Sequence, residues 1–369
     1  MLRILHIAPF NTAGVPIAFV RAERALGFES RLITFARNEF GFEEDLCLDL
    51  PFMNGRFFRS MRNRISGAST RAAPHAESEE RSMDIPLVWT PGSLLEAMLI
   101  GIRERIWQGR IEKLIEQLDF FNFDIYQFDG GLDFSRHGTY AKELHARGKK
   151  VVCCYLGSDL RKRGVIPEID AVSSCNFTVE YDHLALHPDI HYLFFPFDPW
   201  RFTPQTSENG KLRIFHSATN RAYKGTDHII EVGRALESAL DVEFIYMENT
   251  PHTELLAVKQ QCDIMIDQIT NLGGIGYGVS SLEALSMGMA VCTRLTPEYE
   301  AFIPDHPFVS VTPETLYNTL ATLIQDTEKR QWHRQHGRKW VEQYHDAENI
   351  VKHMHDLYRN RGWFEEAYA

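Results

Sequence analysis

The sequence has no cysteine pair at CxxC or other metal-ligand spacing, no apolar run long enough to cross a bilayer, no extended low-complexity tract and no surplus of cations. Each absence removes a class. The six cysteines, at 47, 153, 154, 175, 262 and 292, fall largely in apolar runs, which excludes a zinc ribbon and points to buried, reduced thiols of a cytoplasmic protein. A formal net charge of -11 excludes a general nucleic-acid binder, because phosphate contacts need a cationic face, so any basic site is local. Residues 1–8 are apolar, but charges resume at Arg21, Glu23 and Arg24, and the run reads as a strand rather than a leader.

What is present is an ordinary globular composition, 44% hydrophobic and 24% charged over 369 residues, a length that suits two α/β domains with a cleft between them. Strand-length apolar runs alternate with runs of helical period, as in βαβ units with a parallel sheet, and the alternation occurs twice. Strands are expected over 3–8, 31–34, 125–128, 150–155, 177–179 and 192–195, and again over 212–215, 242–246, 263–266, 289–292 and 308–311. The first helix is expected near Pro16, after the loop at 11–14. Ile229, Val232, Leu236 and Leu240 lay one apolar stripe along a helix after Lys224.

Periodicity lapses over the Pro-containing stretch 195–207, which divides the chain into domains 1–203 and 204–350, with a C-terminal helix over 351–369 that would pack back on the first. The segment 51–110 looks inserted. Its Arg56, Phe57, Phe58, Arg59, Arg62, Arg64 and Arg71, ahead of acidic residues at 77–80, fit either a solvated loop or a peripheral contact with an anionic membrane or acceptor.

Two loops carry candidate chemistry. In Asn220-Arg221-Ala222-Tyr223-Lys224-Gly225-Thr226-Asp227, a polar loop follows a strand and opens a helix. Helix-start N–H groups, the positive dipole end and two cations would hold a diphosphate, Arg221 bidentately and Lys224 as a point charge. Alternatively both are surface charges, and Thr226 or Asp227 is an N-cap. The stretch Asn271-Leu272-Gly273-Gly274-Ile275-Gly276-Tyr277-Gly278-Val279-Ser280-Ser281-Leu282-Glu283 has the same layout, with glycines that let backbone approach a ligand. Glu283, on the first turn of the helix, would accept from ribose hydroxyls or, as the end of a Ser280-x-x-Glu283 capping box, only cap the helix.

These motifs resemble the nucleotide-binding half of retaining GT-B glycosyltransferases, the glycogen-synthase-like group. Arg221 with Lys224-Gly225 is similar to that family's donor-diphosphate segment. Gly276-Tyr277-Gly278, Glu283-Ala284 and Gly288-Met289-Ala290-Val291 are similar to its Glu-Gly-Phe-Gly...Glu-Ala...Gly-x-Pro-Val segment, in the same order. In the first half, Gly14 sits in a loop like the one the family places near the donor phosphates, and Gly157-Ser158-Asp159-Leu160-Arg161 resembles its His-Gly-Ser-Asp-Leu-Arg segment. Residues 195–202 resemble its interdomain linker. Ile275 and Leu156 depart from the pattern, at the positions of a sugar-reading glutamate and of a histidine.

The resemblance implies an α/β fold of the GT-B class, two Rossmann-like domains facing across a donor/acceptor cleft. It implies transfer of a sugar from a nucleotide-diphosphate sugar to a hydroxyl of a sugar, lipid-linked or protein acceptor, with retention, in surface polysaccharide or glycoconjugate synthesis. No cofactor or metal is expected, since acidic pairs are missing near the motifs. Donor contacts fall to Gly14, Arg221, Lys224, Gly276, Tyr277, Gly278 and Glu283. Arg221 and Lys224 would stabilise the departing diphosphate. Asp129, in Gln127-Phe128-Asp129-Gly130-Gly131, and Asp159 lie where such folds place ligand-facing groups and are the further catalytic candidates, each to orient an acceptor hydroxyl or the donor sugar, or else they cap turns. His216 and His252 receive no role. The rivals are a nucleotide-sugar epimerase or hydrolase of the same fold, and an inactive scaffold.

Overall fold

The computed structural model describes residues 2–53, 86–205 and 210–364. The membrane contact expected of Arg56, Phe57, Phe58, Arg59, Arg62 and Arg64 falls outside the described residues. The chain divides into two compact units, the first made of Met1–Asn38, Phe42–Leu193 and Met354–Ala369, the second of Glu39–Gly41 and Phe194–His353.

The first unit is built on β1 (Arg3–Ala8), β2 (Glu29–Thr34), β3 (Leu46–Cys47), β4 (Ile125–Asp129), β5 (Lys150–Tyr155), β6 (Cys175–Thr178) and β7 (His191–Tyr192). All pairings are parallel, in the order β3-β2-β1-β4-β5-β6-β7, with Ile4 opposite Ile125 and Arg3 opposite Glu29. Strands such as Val151-Val152-Cys153-Cys154 are buried without alternation, as a parallel sheet covered on both faces requires. The strand order reverses between β1 and β4, so their C-terminal ends define the unit's switch point. Helix α1 (Val15–Ala25) follows β1 with Pro16 in its first turn and Gly14 as its cap residue.

Two features were not legible as regular structure. The two-residue β3 is too short to show a period. Helix α2 (Leu94–Leu118) occupies the end of the segment read as inserted and runs beyond it. Ser93 caps the helix by accepting from Glu96 N at 3.1 Å, and Glu96 Oε2 reaches back to accept from Gly92 N, one residue before the cap, at 2.8 Å. Leu94, Leu95, Met98, Ile102 and Ile106 are exposed while Trp107, Ile111 and Leu114 are buried, so its apolar residues form no single stripe.

The second unit carries β8 (Leu212–Ala218), β9 (Val242–Glu248), β10 (Ile264–Ile266), β11 (Ala290–Thr293) and β12 (Val309–Ser310), parallel in the order β12-β11-β10-β8-β9. Its helices important here are α3 (Arg221–Lys224), α4 (Thr226–Ala239), α5 (His252–Lys259) and α6 (Val279–Ser286). Ile229, Val232 and Leu236 of α4 are buried against Phe244 and the other sheet residues, as their spacing predicts, and Leu240 falls one residue past the helix. The order reverses between β8 and β10. The loop after β8 is the one with Arg221 and Lys224, and the loop after β10 leads through the glycines to α6, so the two candidate motifs flank one switch point. All six cysteines are free thiols, five of them buried, and burial pushes those of Cys262 and Cys292 up to about 12. No helix among the described residues is long and apolar enough to cross a membrane.

Candidate functional site

The two loops of the second unit meet on Asp267, the residue after β10. Its Oδ1 is ion-paired with Lys224 Nζ, while its Oδ2 accepts from Ser281 Oγ at 2.7 Å and from Gly278 N at 3.3 Å. Burial would raise the Asp267 pKa, but the Lys224 charge and these donors hold it below the usual carboxylate range. One buried anion thus fixes the lysine of the first motif to the glycine loop and helix start of the second. Sequence reading missed Asp267. Its signal was an acid at the carboxyl end of a strand beside a glycine loop.

Backbone geometry brings the loops into contact. Gly225 has φ +73° and a Cβ there would lie 2.4 Å from Ile269 Cγ1, so only glycine lets the segment after β10 lie against the α3–α4 junction. There Ile269 N donates to Lys224 O at 3.1 Å and Thr270 Oγ1 donates to Tyr223 O. Gly276 has φ +93°, with Tyr299 Cε1 1.9 Å from where its Cβ would be.

Arg221 points toward β9. Its guanidinium pairs with Asp227 and with Glu248 at 3.1 Å, and it donates to Tyr246 Oη at 3.0 Å, leaving the side chain 41% exposed. The N-cap alternative fails: Gly225 occupies the cap position of α4, Asn220 caps α3 by accepting from Tyr223 N, and Thr226 Oγ1 lies 2.9 Å from His216 Nε2.

Glu283 is not on the first turn and does not close a capping box. The cap residue of α6 is Gly278, with no side-chain cap bond, and Glu283 is the fifth helical residue. Its buried carboxylate accepts from Lys259 Nζ at 2.5 Å on Oε2 and lies 2.6 Å from His252 Nε2 on Oε1. Burial would raise its pKa, but the Lys259 charge and the His252 hydrogen bond hold it low. Lys259 was invisible in the sequence because a lysine ending a short helix ordinarily faces water.

Tyr277 is a core residue. Its ring stacks on Phe308 at 4.5 Å and its hydroxyl donates to His345 Nε2 at 3.0 Å, so only its backbone is available to a ligand.

In the first unit, the carboxylate of Asp129 is buried at the end of β4. Oδ1 accepts from Gln127 Nε2 at 2.8 Å and Oδ2 lies 3.5 Å from His6 Nδ1. Asp159 accepts from the N–H groups of Leu156, Gly157 and Leu160, each at 2.8 Å, and so organises the loop after β5. Its Oδ2 would lie 3.2 Å from a Cβ on Gly130, which places the two acidic loops side by side. Gly14 belongs to the loop after β1, at the same end of this sheet.

The fold is that of the GT-B glycosyltransferases, an α/β class with two Rossmann-like domains. Similar solved structures include a mutant of S. aureus TarM in complex with fondaparinux, α-GlcNAc-glycerol and UDP (9% identity, TM-score 0.60, covering 97% of this chain and 100% of that one). An α-glucosyltransferase bound to UDP and a 13-mer DNA is similar at 9% identity and a TM-score of 0.57, over 97% and 99% of the two chains. A UDP-N-acetylglucosamine 2-epimerase is similar at 12% identity and a TM-score of 0.50, over 99% and 98%. No protein-family model matches the chain and no curated protein matches its sequence.

Proposed function

We propose that this protein is a glycosyltransferase that moves a sugar from a nucleoside-diphosphate sugar to a hydroxyl acceptor, with retention and without a metal, in surface polysaccharide or glycoconjugate synthesis. One observation carries the reading: Asp267 joins Lys224, 43 residues away, to the glycine loop at the switch point of the second sheet. A lysine, an arginine and a glycine-loop helix start in one place suit a diphosphate leaving group, which gains charge as the anomeric bond breaks.

In this reading Lys224 and Arg221 neutralise the departing diphosphate, the Gly276-Tyr277-Gly278 backbone lies along the nucleotide, and Glu283 Oε1 accepts from the ribose. Gly14, in the loop after β1, lies near the donor phosphates. Asp159 organises the loop after β5, Asp129 is held at the end of β4 beside Gln127 and His6, and neither reacts. Because two similar structures hold UDP, UDP-sugars are the first donors to test.

Calorimetry with UDP, GDP, ADP and CDP, followed by turnover assays with the matching sugar nucleotides and EDTA present, tests the proposal. No binding heat with any nucleotide refutes the site and leaves the scaffold reading. The similarity to an epimerase sustains one rival, and incubation with donor alone separates it: sugar released or epimerised at full rate without an acceptor rules out transfer as the activity.

A further inference from the structure

Lys259 is fully buried at the end of α5, and its ammonium group is completely used. It donates to Glu283 Oε2 at 2.5 Å, to Ser280 Oγ at 2.8 Å and to Ser280 O at 3.2 Å, and Phe215 closes its remaining side with the ring centroid 5.9 Å away. Burying an ammonium is costly, and an apolar side chain of the same length would serve packing as well or better. The charge must therefore answer to its partner. That partner is a carboxylate that is itself buried, and a buried carboxyl group without a cation takes up a proton.

The two oxygens of Glu283 face different surroundings. Oε2 is held by the inaccessible Lys259, while Oε1 is shared with His252, whose side chain is 22% exposed and is the member of the trio that water reaches most. The backbone N–H of His252 donates to Phe40 O at 3.0 Å, which anchors the histidine from the other side. Lys259 thus holds Oε2 from the buried side, and Oε1 is the oxygen that lies beside the more exposed His252.

We propose that Lys259 is a positioning residue of the nucleotide site: it keeps Glu283 ionised and oriented so that Oε1 accepts hydrogen bonds from the ribose diol. The inference rests on the proposed function and adds the residue through which its ribose contact operates. Lys259 touches no ligand. Its effect is confined to the sugar of the nucleoside, because the diphosphate is met by Lys224 and Arg221.

The test compares the tightest nucleoside diphosphate of the UDP, GDP, ADP and CDP panel with its 2′,3′-dideoxy counterpart, in the wild type, Glu283→Gln, Lys259→Met and Lys259→Gln. The wild type is expected to prefer the ribonucleotide by at least about tenfold, the equivalent of one charge-assisted hydrogen bond. In each variant the preference falls to within about twofold, while dideoxynucleotide affinity stays at the wild-type value. Lys259→Gln keeps a donor toward Ser280 and supplies the comparison if Lys259→Met does not fold. Full ribose discrimination in a folded Lys259 variant overturns the inference alone, as does an equal loss for both nucleotides. Wild-type binding without discrimination overturns it together with the ribose role of Glu283 but leaves the diphosphate site standing. No nucleotide binding at all overturns the proposed function and the inference with it.

Discussion

Each unit buries a histidine on the strand that begins its sheet, and the two units hold that histidine in opposite charge states. His6 of β1 lies 2.9 Å from Glu23 Oε2 and 3.5 Å from Asp129 Oδ2, with no exposure of either histidine or glutamate side chain. Burial would strip its proton, yet the Glu23 and Asp129 carboxylates push its pKa up to about 10 and Glu23 falls to about 2. His216 of β8 donates Nδ1–H to Ile266 O at 2.8 Å and accepts at Nε2 from Thr226 Oγ1 at 2.9 Å. Burial dominates there and takes its pKa down to about 4. A buried histidine is neutral by default, and an adjoining carboxylate reverses this. Around His6 everything is sealed, whereas Arg221, Lys224 and His252 of the proposed site keep 41%, 23% and 22% of their side chains exposed.

The largest effect that can break this contrast is expected from Glu23→Gln. It leaves a buried imidazolium without its main partner and should cost about 3–5 kcal/mol of stability by urea denaturation. An unchanged midpoint means that His6 is neutral and the contrast is void.

The second prediction concerns pH. His6 titrates near 6.5 when unfolded and about 10 when folded, so its stabilisation is complete below pH 6.5 and is lost as pH rises from 6.5 to 10. Glu23, at about 2 instead of 4.5, contributes above pH 4.5 and loses that contribution as pH falls toward 2. His216, at about 4 instead of 6.5, binds its proton more readily in the unfolded chain, so stability falls as pH drops from 6.5 to 4. Urea midpoints over this range should peak near neutral to mildly acidic pH. Glu23→Gln flattens the alkaline arm and the part of the acid arm below pH 4.5, and His216→Gln flattens the arm between pH 6.5 and 4, by a few kcal/mol each at most. A His216→Gln variant that flattens the alkaline arm, or a Glu23→Gln variant that leaves it unchanged, contradicts the assignment.

Lys224→Ala is expected to weaken nucleoside-diphosphate binding by about 1.5–3 kcal/mol, measured by calorimetry on protein shown to be folded. It also strips Asp267 of its cation, so a lower melting temperature accompanies the loss. Arg221→Ala should have the smallest effect, a severalfold loss of affinity that fades at high salt, because this cation is exposed and already paired with Asp227 and Glu248. If Arg221→Ala proves the larger loss, the diphosphate lies toward β9 rather than toward Asp267.

Much of the fold was legible because parallel strands buried on both faces leave continuous apolar runs. The runs at 3–8 and 150–155 match β1 and β5, and β8 and β9 only extend further than their apolar cores. Helix α2 was not legible, since a helix with exposed Leu94, Met98, Ile102 and Ile106 has apolar residues on more than one face. In the site, the backbone requirements could be read from glycine positions. The side-chain partnerships could not: Ser280-x-x-Glu283 spells a capping box, yet Glu283 is engaged by Lys259 and His252 from another helix.

What the sequence by itself determined is the order of the longer strands, the two loops rich in glycine and cations, and their place after strands, because period and backbone freedom are local properties. Only the tertiary structure decided which charges meet. Lys224 pairs with Asp267 across 43 residues and Lys259 with Glu283 across 24, and in neither case does spacing along the chain encode the contact. Strand order at the switch point brings these groups together, and burial then makes each pairing obligatory, since a charge removed from water is tolerated only beside its counterpart.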